Sequence, residues 1–380
     1  MARNCAYVLI LSVLVLLSIG FVILTSVSAF VPNNHGDQYY FITRQLVWLI
    51  IATGAAIFAS QWDYQKWVKY SYFLIAGWAF LMVLCLAPGI GVTVNNAARW
   101  LDLGVMRFQP SEFAKLSYAA FLAYWLGKNY RQTHDIKIGF VMPILVFLGY
   151  AILCRLQNDL GTLAVFLFIT FLMMFVAGTR WRYLIPLPII GIAGIIGMAL
   201  FMPERVGRLL AFMNPEQYLL DEGYQVQQAL IAFGSGGVNG LGLGNGVQKM
   251  FYLPESHTDF IFPIIGEEMG MVFTLLVVFC FLLIGLSGGF IAWHAKDATG
   301  VLLGVGATSL ICIQAGFNIA VVTSLVPTKG ISLPFISYGG SNLLMCLTCV
   351  GILINIHRQA EYEPMRGPRR VLPQVVTVRM

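Results

Sequence analysis

Charged side chains are scarce in this sequence. Only 11% of its 380 residues are Asp, Glu, Lys or Arg, whereas an average soluble domain has roughly a quarter. Hydrophobic residues make up 58%, which leaves too few polar side chains to cover a soluble surface. The composition therefore excludes an ordinary soluble enzyme, a nucleic-acid-binding protein and a disordered chain.

Cysteine provides no disulfide framework. The seven cysteines are odd in number and nearly all lie in apolar runs. Cys346 and Cys349 have the C-x-x-C spacing of a redox or zinc motif, but the surrounding Leu343 to Ile356 is hydrophobic and holds no histidine. We interpret these two cysteines as small buried hydrophobic residues.

Ten apolar runs approach or exceed the length of about 20 residues that a helix needs to cross a bilayer. They predict an all-α, polytopic membrane protein with about ten transmembrane helices and a large extracytoplasmic loop between helices 7 and 8. We treat residues 1–380 as a single integral membrane domain that includes this loop, residues 203–259. The runs are Ala6–Val31, Gln45–Ser60, Tyr70–Ala87, Pro110–Gly127, Gly139–Cys154, Leu160–Gly178, Tyr183–Met202, Phe260–Trp293, Val301–Val326 and Leu333–Ile356.

The basic residues predict the orientation. If both termini are cytoplasmic, 14 of the 23 Lys and Arg residues lie in cytoplasmic segments. The short loops around Lys66, Arg131 and Arg180 carry the bias that matters most for topology. Residues 357–380 then form a cytoplasmic basic tail, and the net charge of +6 reflects topology rather than nucleic-acid binding.

Three segments on the opposite side are longer or more polar than simple connectors: Pro88–Gln109, Pro203–Asp259 and Pro327–Pro334. The second is too rich in aromatic and apolar residues to be disordered, and long ordered loops are usually functional. Within it, Tyr224–Phe233 predicts a short amphipathic helix. Seven glycines among residues 234–246 indicate a flexible or tightly turned loop, and contact with a lipid phosphate is an open alternative.

Ionisable residues stand at the ends of several apolar runs. Asp259 could cap the helix that follows it, but a cap does not explain why Glu255 and His257 stand at the same place. Glu112 and Lys115 are three residues apart and can pair on a helix. A lone charge at mid-bilayer costs on the order of 2.5–3.5 kcal/mol, so a structural salt bridge and a functional pair in a wet cavity both remain open.

Two further polar groups have plainer interpretations. Asp159 is predicted to cap the helix that starts at Leu160. Gln314 and Asn318 are four apart on one helix face, and we expect them to bind a neighbouring helix rather than a substrate.

The polar motifs together resemble one family, the SEDS proteins (shape, elongation, division and sporulation), which are membrane glycosyltransferases that polymerise peptidoglycan from lipid II. The likeness covers nearly the whole chain and is closer to the cell-division members than to the elongation members. It rests on Asn96–Trp100, Gln109–Lys115, Gly223–Gln228, Leu253–Phe262, Gly266–Glu268, Pro327–Gly330 and Ser337–Ser341.

The resemblance implies roles for individual residues. Asp259 matches the family's essential aspartate and is expected to be the general base for the acceptor hydroxyl. Arg99, Lys115 and Lys329 are the expected cations for the departing pyrophosphate. The other expected substrate-binding residues are Glu255, which would shape the site or help to hold a divalent ion, His257 and Ser337.

The resemblance also implies partners and a location. The substrates would be lipid II and a glycan strand linked to undecaprenyl pyrophosphate. The protein partners would be a class B penicillin-binding protein, which is a transpeptidase, and other membrane proteins of the divisome. We expect the bacterial inner membrane at the division septum. The resemblance implies no certain cofactor, and a divalent cation, Mg²⁺ or Mn²⁺, is an open alternative. A lipid II flippase and a non-enzymatic divisome scaffold are the alternatives.

Overall fold

The computed structural model describes residues 2–30, 39–94, 97–102, 104, 107–200, 203–213 and 223–362. These residues are mostly helical, and three short strands interrupt the helices. The elements are α1 (Ala2–Ser28), α2 (Tyr40–Gln61), α3 (Tyr64–Lys69), α4 (Ser71–Leu84), β1 (Gly91–Val94), β2 (Ala97–Asp102), β3 (Arg107–Phe108), α5 (Pro110–Lys128), α6 (Met142–Leu156), α7 (Leu160–Val176), α8 (Trp181–Leu184), α9 (Pro186–Leu200), α10 (Pro203–Met213), α11 (Tyr224–Gly236), α12 (Ile261–Trp293), α13 (Ala298–Val322) and α14 (Gly340–Tyr362).

Each of the ten predicted apolar runs coincides with a helix, although not every helix is long. Six helical segments of the described chain are long and apolar enough to cross a membrane: α1, α2, α6 with the π-helical turn before it, α12, α13 and α14. Helices α4 and α7 are apolar but shorter. The number of crossings, about ten, therefore stays a prediction.

Helix α5 lies inside the bundle, where α4, α7, α13 and α14 pack around it. Small residues allow this close approach: Ala114, Ala119, Ala120 and Ala123 are almost fully buried. Because protein surrounds α5, the helix can carry the buried charges Glu112 and Lys115 without placing them in lipid.

A small antiparallel sheet replaces the irregular loop expected between Pro88 and Gln109. Its strand order is β1-β2-β3, with Val92 opposite Trp100 and Asp102 opposite Arg107. The all-α prediction is confirmed for most of the described chain, and this sheet is an exception to it. Pairing fixes the course of β2 and β3, which carry Arg99 and Arg107.

The long segment before α12 is ordered in the parts that the structure describes. It contains α10 and α11, and α11 confirms the helix predicted at Tyr224–Phe233. Residues 214–222 of this loop, Asn96 of the first family motif and residues 363–380 of the predicted basic tail lie outside the described residues. The earlier part of that predicted tail continues α14, which ends at Tyr362.

The glycine-rich segment is folded onto a break in α12. Gly270 has a φ of 79°, which a side chain would strain. Nearby, the backbone N–H groups of Leu241 and Gly242 donate to the carbonyls of Glu267 and Glu268, at 2.9 and 3.0 Å. These backbone donors are therefore used within the protein, and the segment is a docked turn.

The side chains of Glu267 and Glu268 also serve this docking. Glu267 accepts from the backbone N–H of Val247 at 2.9 Å. Glu268 pairs with the fully buried ammonium of Lys249, which also donates to Ser26 on α1. The two acids thus hold the segment before α12 against the bundle.

Candidate active site

A cavity of about 540 Å³ opens where the N-terminal ends of α2, α5, α7 and α14 meet the sheet and the loop before α12. Helix N-termini carry partial positive charge and favour anions. Five of the predicted site residues line this cavity: Arg99, Lys115, Glu255, His257 and Asp259.

Asp259 does not cap α12. The residue at the N-cap position is Phe260, and no side chain makes a capping hydrogen bond there. The carboxylate instead faces the cavity beside the backbone of Gly330, where an added methyl group would lie 2.7 Å from Oδ2 of Asp259. These observations favour a functional role for Asp259 over the role of a helix cap.

The surroundings of Asp259 change its acidity. Burial raises the pKa of this carboxyl to about 7, with a further increase from Glu255 that Arg99 partly offsets. A carboxyl that titrates near neutral pH is suited to accept a proton as a general base.

The predicted helix cap at Asp159 is confirmed, since its carboxylate accepts from the backbone N–H of Thr162 at 3.1 Å. The same carboxylate also pairs with Arg99 at 3.4 Å. Burial raises the pKa of Asp159, but Arg99 and the hydrogen bonds from Thr162 outweigh it and lower the pKa below its usual value. Asp159 is therefore a charged residue that fixes Arg99 at the cavity.

Glu112 and Lys115 form the predicted pair, with Nζ of Lys115 donating to Oε1 of Glu112 at 2.8 Å. Both residues are buried and both line the cavity. The second oxygen of Glu112 has no hydrogen-bond partner among the described residues. The pair is thus a salt bridge in the wall of the cavity. This position is compatible with a structural salt bridge and with a functional pair.

The loop that carries Asp259 is fastened from two sides. Asn318 on α13 donates to the carbonyls of Asp259 and Ile331, both at 2.7 Å, so its partners are two loops and not the neighbouring helix that was predicted. Gln314 does bind a neighbouring helix, since it accepts from Asn342 of α14 at 3.0 Å. The hydroxyl of Ser337 donates to the carbonyl of Thr258 at 2.6 Å and accepts from the backbone N–H of Leu333 at 2.8 Å. Asn318 and Ser337 thus join the loop before α12 to the loop before α14.

Two predicted residues do not line the cavity. Lys329 immediately precedes Gly330, which does line it, and Ser337 lies behind the loop that does. The apolar run had suggested a helix from Leu333, but helix α14 begins only at Gly340. Residues 333–339 are therefore not helical. Their backbone can follow the loop of Asp259, and Ser337 reaches it with a hydrogen bond.

His257 and Glu255 lie at the cavity but differ in exposure. The imidazole of His257 packs against the ring of Phe41 at 4.6 Å between centroids. Burial lowers the pKa of His257, and the charge of Glu255 opposes this. Glu255 is exposed and accepts from the hydroxyl of Thr258 at 2.8 Å.

The residues that line the cavity but were not predicted as site residues include Tyr40, Arg44, Arg107 and Tyr338. Arg44 is the fifth residue of α2, near the N-terminal end of the helix, where a positive charge opposes the helix dipole. That mismatch is a signal from which a functional role could have been suspected.

The described residues hold no group of three or more His, Cys, Asp or Glu side chains that could by themselves bind a metal ion. Glu255 and Asp259 both line the cavity, and the charge of Glu255 acts on Asp259. Mg²⁺ is commonly held by one or two carboxylates together with substrate phosphates and water, so Glu255 with a bound pyrophosphate fits such an ion.

The fold and this cavity define a helical, multi-pass membrane protein with a polar, cation-lined site at one end of its bundle. The model of the family described as cell cycle protein, which comprises FtsW, RodA and SpoVE, matches residues 7–362. The chain belongs to this family.

Relatives and solved structures agree over nearly the full chain. Stage V sporulation protein E of Bacillus subtilis is 39% identical, covering 93% of this chain and 97% of the relative. The probable peptidoglycan glycosyltransferase FtsW of Geobacter sulfurreducens is 39% identical, covering 94% and 96%.

Two solved structures share the fold at 26% identity. A chain from a peptidoglycan synthase complex that coordinates polymerisation and crosslinking superposes with a TM-score of 0.77, covering 93% of this chain and 98% of that one. The rod shape determining protein RodA of Thermus thermophilus gives 0.67, covering 93% and 96%.

Proposed function

We propose that this protein is a peptidoglycan glycosyltransferase that polymerises lipid II into glycan strands. The observation that carries the proposal is Asp259, a carboxyl with a pKa of about 7 that faces a cavity lined by Arg99 and Lys115. The relative from Geobacter sulfurreducens named for this activity adds support.

In the proposed reaction, Asp259 accepts the proton of the GlcNAc 4-hydroxyl of lipid II. The freed oxygen attacks the anomeric carbon of the lipid-linked glycan strand, a C–O bond forms, and the bond to undecaprenyl pyrophosphate breaks. Because the donor linkage is α and the product is β, the transfer inverts the configuration. With the acceptor as nucleophile, a single base suffices and no second catalytic carboxylate is required.

Positive charge is needed where the pyrophosphate departs. We assign this role to Arg99, Lys115 and Lys329, with Lys329 approaching from the edge that Gly330 lines. His257 and Glu255 would contact the sugar or an associated divalent ion. In this proposal Ser337 acts through the loop of Asp259, because both of its hydrogen bonds are made to backbone groups.

The cellular setting is part of the proposal. The Lys and Arg bias supports cytoplasmic termini. With that orientation the cavity would open on the outer face of the inner membrane, at the division septum. A class B penicillin-binding protein would crosslink the new strand. The solved complex that coordinates polymerisation and crosslinking supports such a partner.

The test is polymerisation of labelled lipid II by the reconstituted protein together with its transpeptidase partner. Asp259→Asn is expected to reduce polymer formation by at least about 100-fold, because general-base catalysis contributes on that scale. The control Asp135→Asn removes an exposed carboxylate of another loop and should retain activity. Full activity in Asp259→Asn would refute the base assignment. Lipid translocation without polymer would identify a flippase, and neither reaction would indicate a scaffold.

A further inference from the structure

The glycine-rich segment before α12 has an uncharged, apolar surface. Residues 234–254 include one charged side chain, that of Lys249, and it is buried in an ion pair. Three large apolar side chains of the segment are instead exposed, namely Val238, Leu241 and Leu243, at 55%, 42% and 56%. We call these three residues the apolar patch. Clustered exposed apolar residues mark a surface that binds a membrane or another protein.

Helix α12 shows where the membrane begins. Residues 261–268 and Gly270 are buried, whereas one face of the helix is apolar and exposed from Met271 onward. From Met271 to Trp293 the helix has the length needed to cross a bilayer, so the boundary of the hydrocarbon lies near Met271. The exposed residues of this face, spaced by three or four positions, are Val272, Leu275, Phe279, Leu282 and Leu286.

The apolar patch lies at this boundary. The backbone N–H of Met271 donates to the carbonyl of Gly237 at 3.0 Å, which brings Val238 beside the start of the exposed face. Gly240 approaches the same point, since an added methyl group there would lie 2.7 Å from the backbone nitrogen of Gly270. The segment that carries the patch therefore adjoins the membrane-facing surface of α12.

The backbone of the segment is also suited to a position next to lipid, where polar backbone groups need partners within the protein. The N–H groups of Leu241 and Gly242 donate to carbonyls of α12. The N–H of Gly244 donates to the carboxylate of Glu268 at 3.2 Å. Because these donors are occupied, they are not available to a lipid phosphate. The segment would instead meet the membrane through its apolar side chains.

We propose that Val238, Leu241 and Leu243 insert between the headgroups and acyl chains of phospholipids, so that the glycine-rich segment binds the membrane surface beside the spanning helices. Phospholipid is the partner because the patch adjoins the membrane-facing surface of α12 and its surroundings expose no charge. With the proposed orientation, the patch lies in the outer leaflet. The insertion itself depends neither on that orientation nor on the proposed reaction.

The experiment places a nitroxide spin label on Leu243→Cys, in the full-length protein in nanodiscs of phosphatidylethanolamine and phosphatidylglycerol. Electron paramagnetic resonance then measures collisions with oxygen, which concentrates in lipid, and with a water-soluble nickel chelate. Leu275→Cys on α12 gives the lipid reference, and Thr93→Cys, at an exposed polar residue of β1, gives the water reference. The ratio of oxygen to nickel accessibility for Leu243→Cys should fall between the two. The unsubstituted protein, whose cysteines are half-buried or buried, corrects for background.

A second substitution tests the patch itself. Leu241→Glu adds a charge that is unfavourable next to lipid, so the ratio for Leu243→Cys should drop to the value of the water reference. Thr93→Glu adds the same charge outside the patch and should leave the ratio unchanged. Melting temperatures identify variants that have failed to fold. For these, Leu241→Ser removes the apolar contact without adding charge and should give a smaller shift in the same direction.

Several results would overturn the insertion. A ratio equal to the water reference would place Leu243 in solvent, and a ratio equal to the lipid reference would place it in the hydrocarbon core. The measurement is repeated with the transpeptidase partner present. A label that lies in water without the partner and loses access to both reagents with it would identify a protein interface instead. Because the measurement requires no turnover, a failure of the proposed function would leave these readings unchanged.

Discussion

Asp259 is the residue whose protonation should set the pH dependence of the proposed reaction. It must be ionised to accept a proton, and its pKa is raised to about 7, so activity should fall as the pH drops below that value. The charge of Glu255 raises this pKa. Glu255→Gln should therefore lower it and shift the acid limb of the kcat/KM profile to lower pH.

Asp102→Asn provides the comparison for this shift. Asp102 is also an exposed acid at the cavity, but it is not among the groups that raise the pKa of Asp259. Its removal should leave the acid limb in place. An acid limb that stays fixed in Glu255→Gln would contradict the electrostatic coupling.

Gly330 sets the space available to the carboxylate of Asp259, the proposed general base. A methyl group at this position would lie 2.7 Å from Oδ2 of Asp259, which is closer than ordinary contact allows. Gly330→Ala should therefore displace the carboxylate and lower kcat by about tenfold or more, since small misplacements of catalytic groups are costly. Gly316→Ala, on α13 with nothing within 4 Å of the added methyl group, should retain activity and melting temperature.

Among the elements, α12 depends most on a single glycine. Gly270 has a φ of 79°, and a methyl group there would lie 2.4 Å from the backbone nitrogen of Gly240. Gly270→Ala should destabilise the protein by about 1–3 kcal/mol and increase proteolysis of the glycine-rich segment. Gly289→Ala in the same helix meets nothing within 4 Å, so equal melting temperatures for the two variants would contradict this account.

The sequence predicted helices better than strands, for a physical reason. An apolar run long enough for a membrane marks a helix by composition alone, and all ten runs coincide with helices. The strands hold only two to six residues, too few for an alternating pattern. The docking of Gly240 at Gly270 depends on close backbone approach between distant segments, which no local pattern encodes.

The candidate site was predictable to the extent that its residues interrupt apolar surroundings. Asp259 and Lys115 do so, whereas Arg99 was expected through the family resemblance, and the structure brings all three to one cavity. Arg44 was missed because it resembles an ordinary charge at a helix end. The hydrogen bonds of Asn318 could not be predicted from the sequence either, since they join two loops that are far apart in the chain.

For the whole molecule, the distribution of basic residues predicts which side each loop occupies. Tyr252→Cys, in the exposed loop before α12, should react with a membrane-impermeant maleimide in intact cells. Arg131→Cys, in an exposed loop at the predicted cytoplasmic side, should react only after permeabilisation. The seven native cysteines are half-buried or buried, which keeps their background labelling low. The reverse labelling pattern would invert the proposed topology.

The break in α12 has a consequence for how the protein meets membranes of different thickness. The piece from Met271 to Trp293 has 23 residues, and at about 1.5 Å per residue it spans about 34 Å, enough for a hydrocarbon core of about 30 Å. The piece from Ile261 to Met269 need not enter lipid, and the docked glycine-rich segment holds it to the bundle. Hydrophobic mismatch can then be absorbed by tilting the longer piece, while the shorter piece, which follows the loop of Asp259, keeps its place.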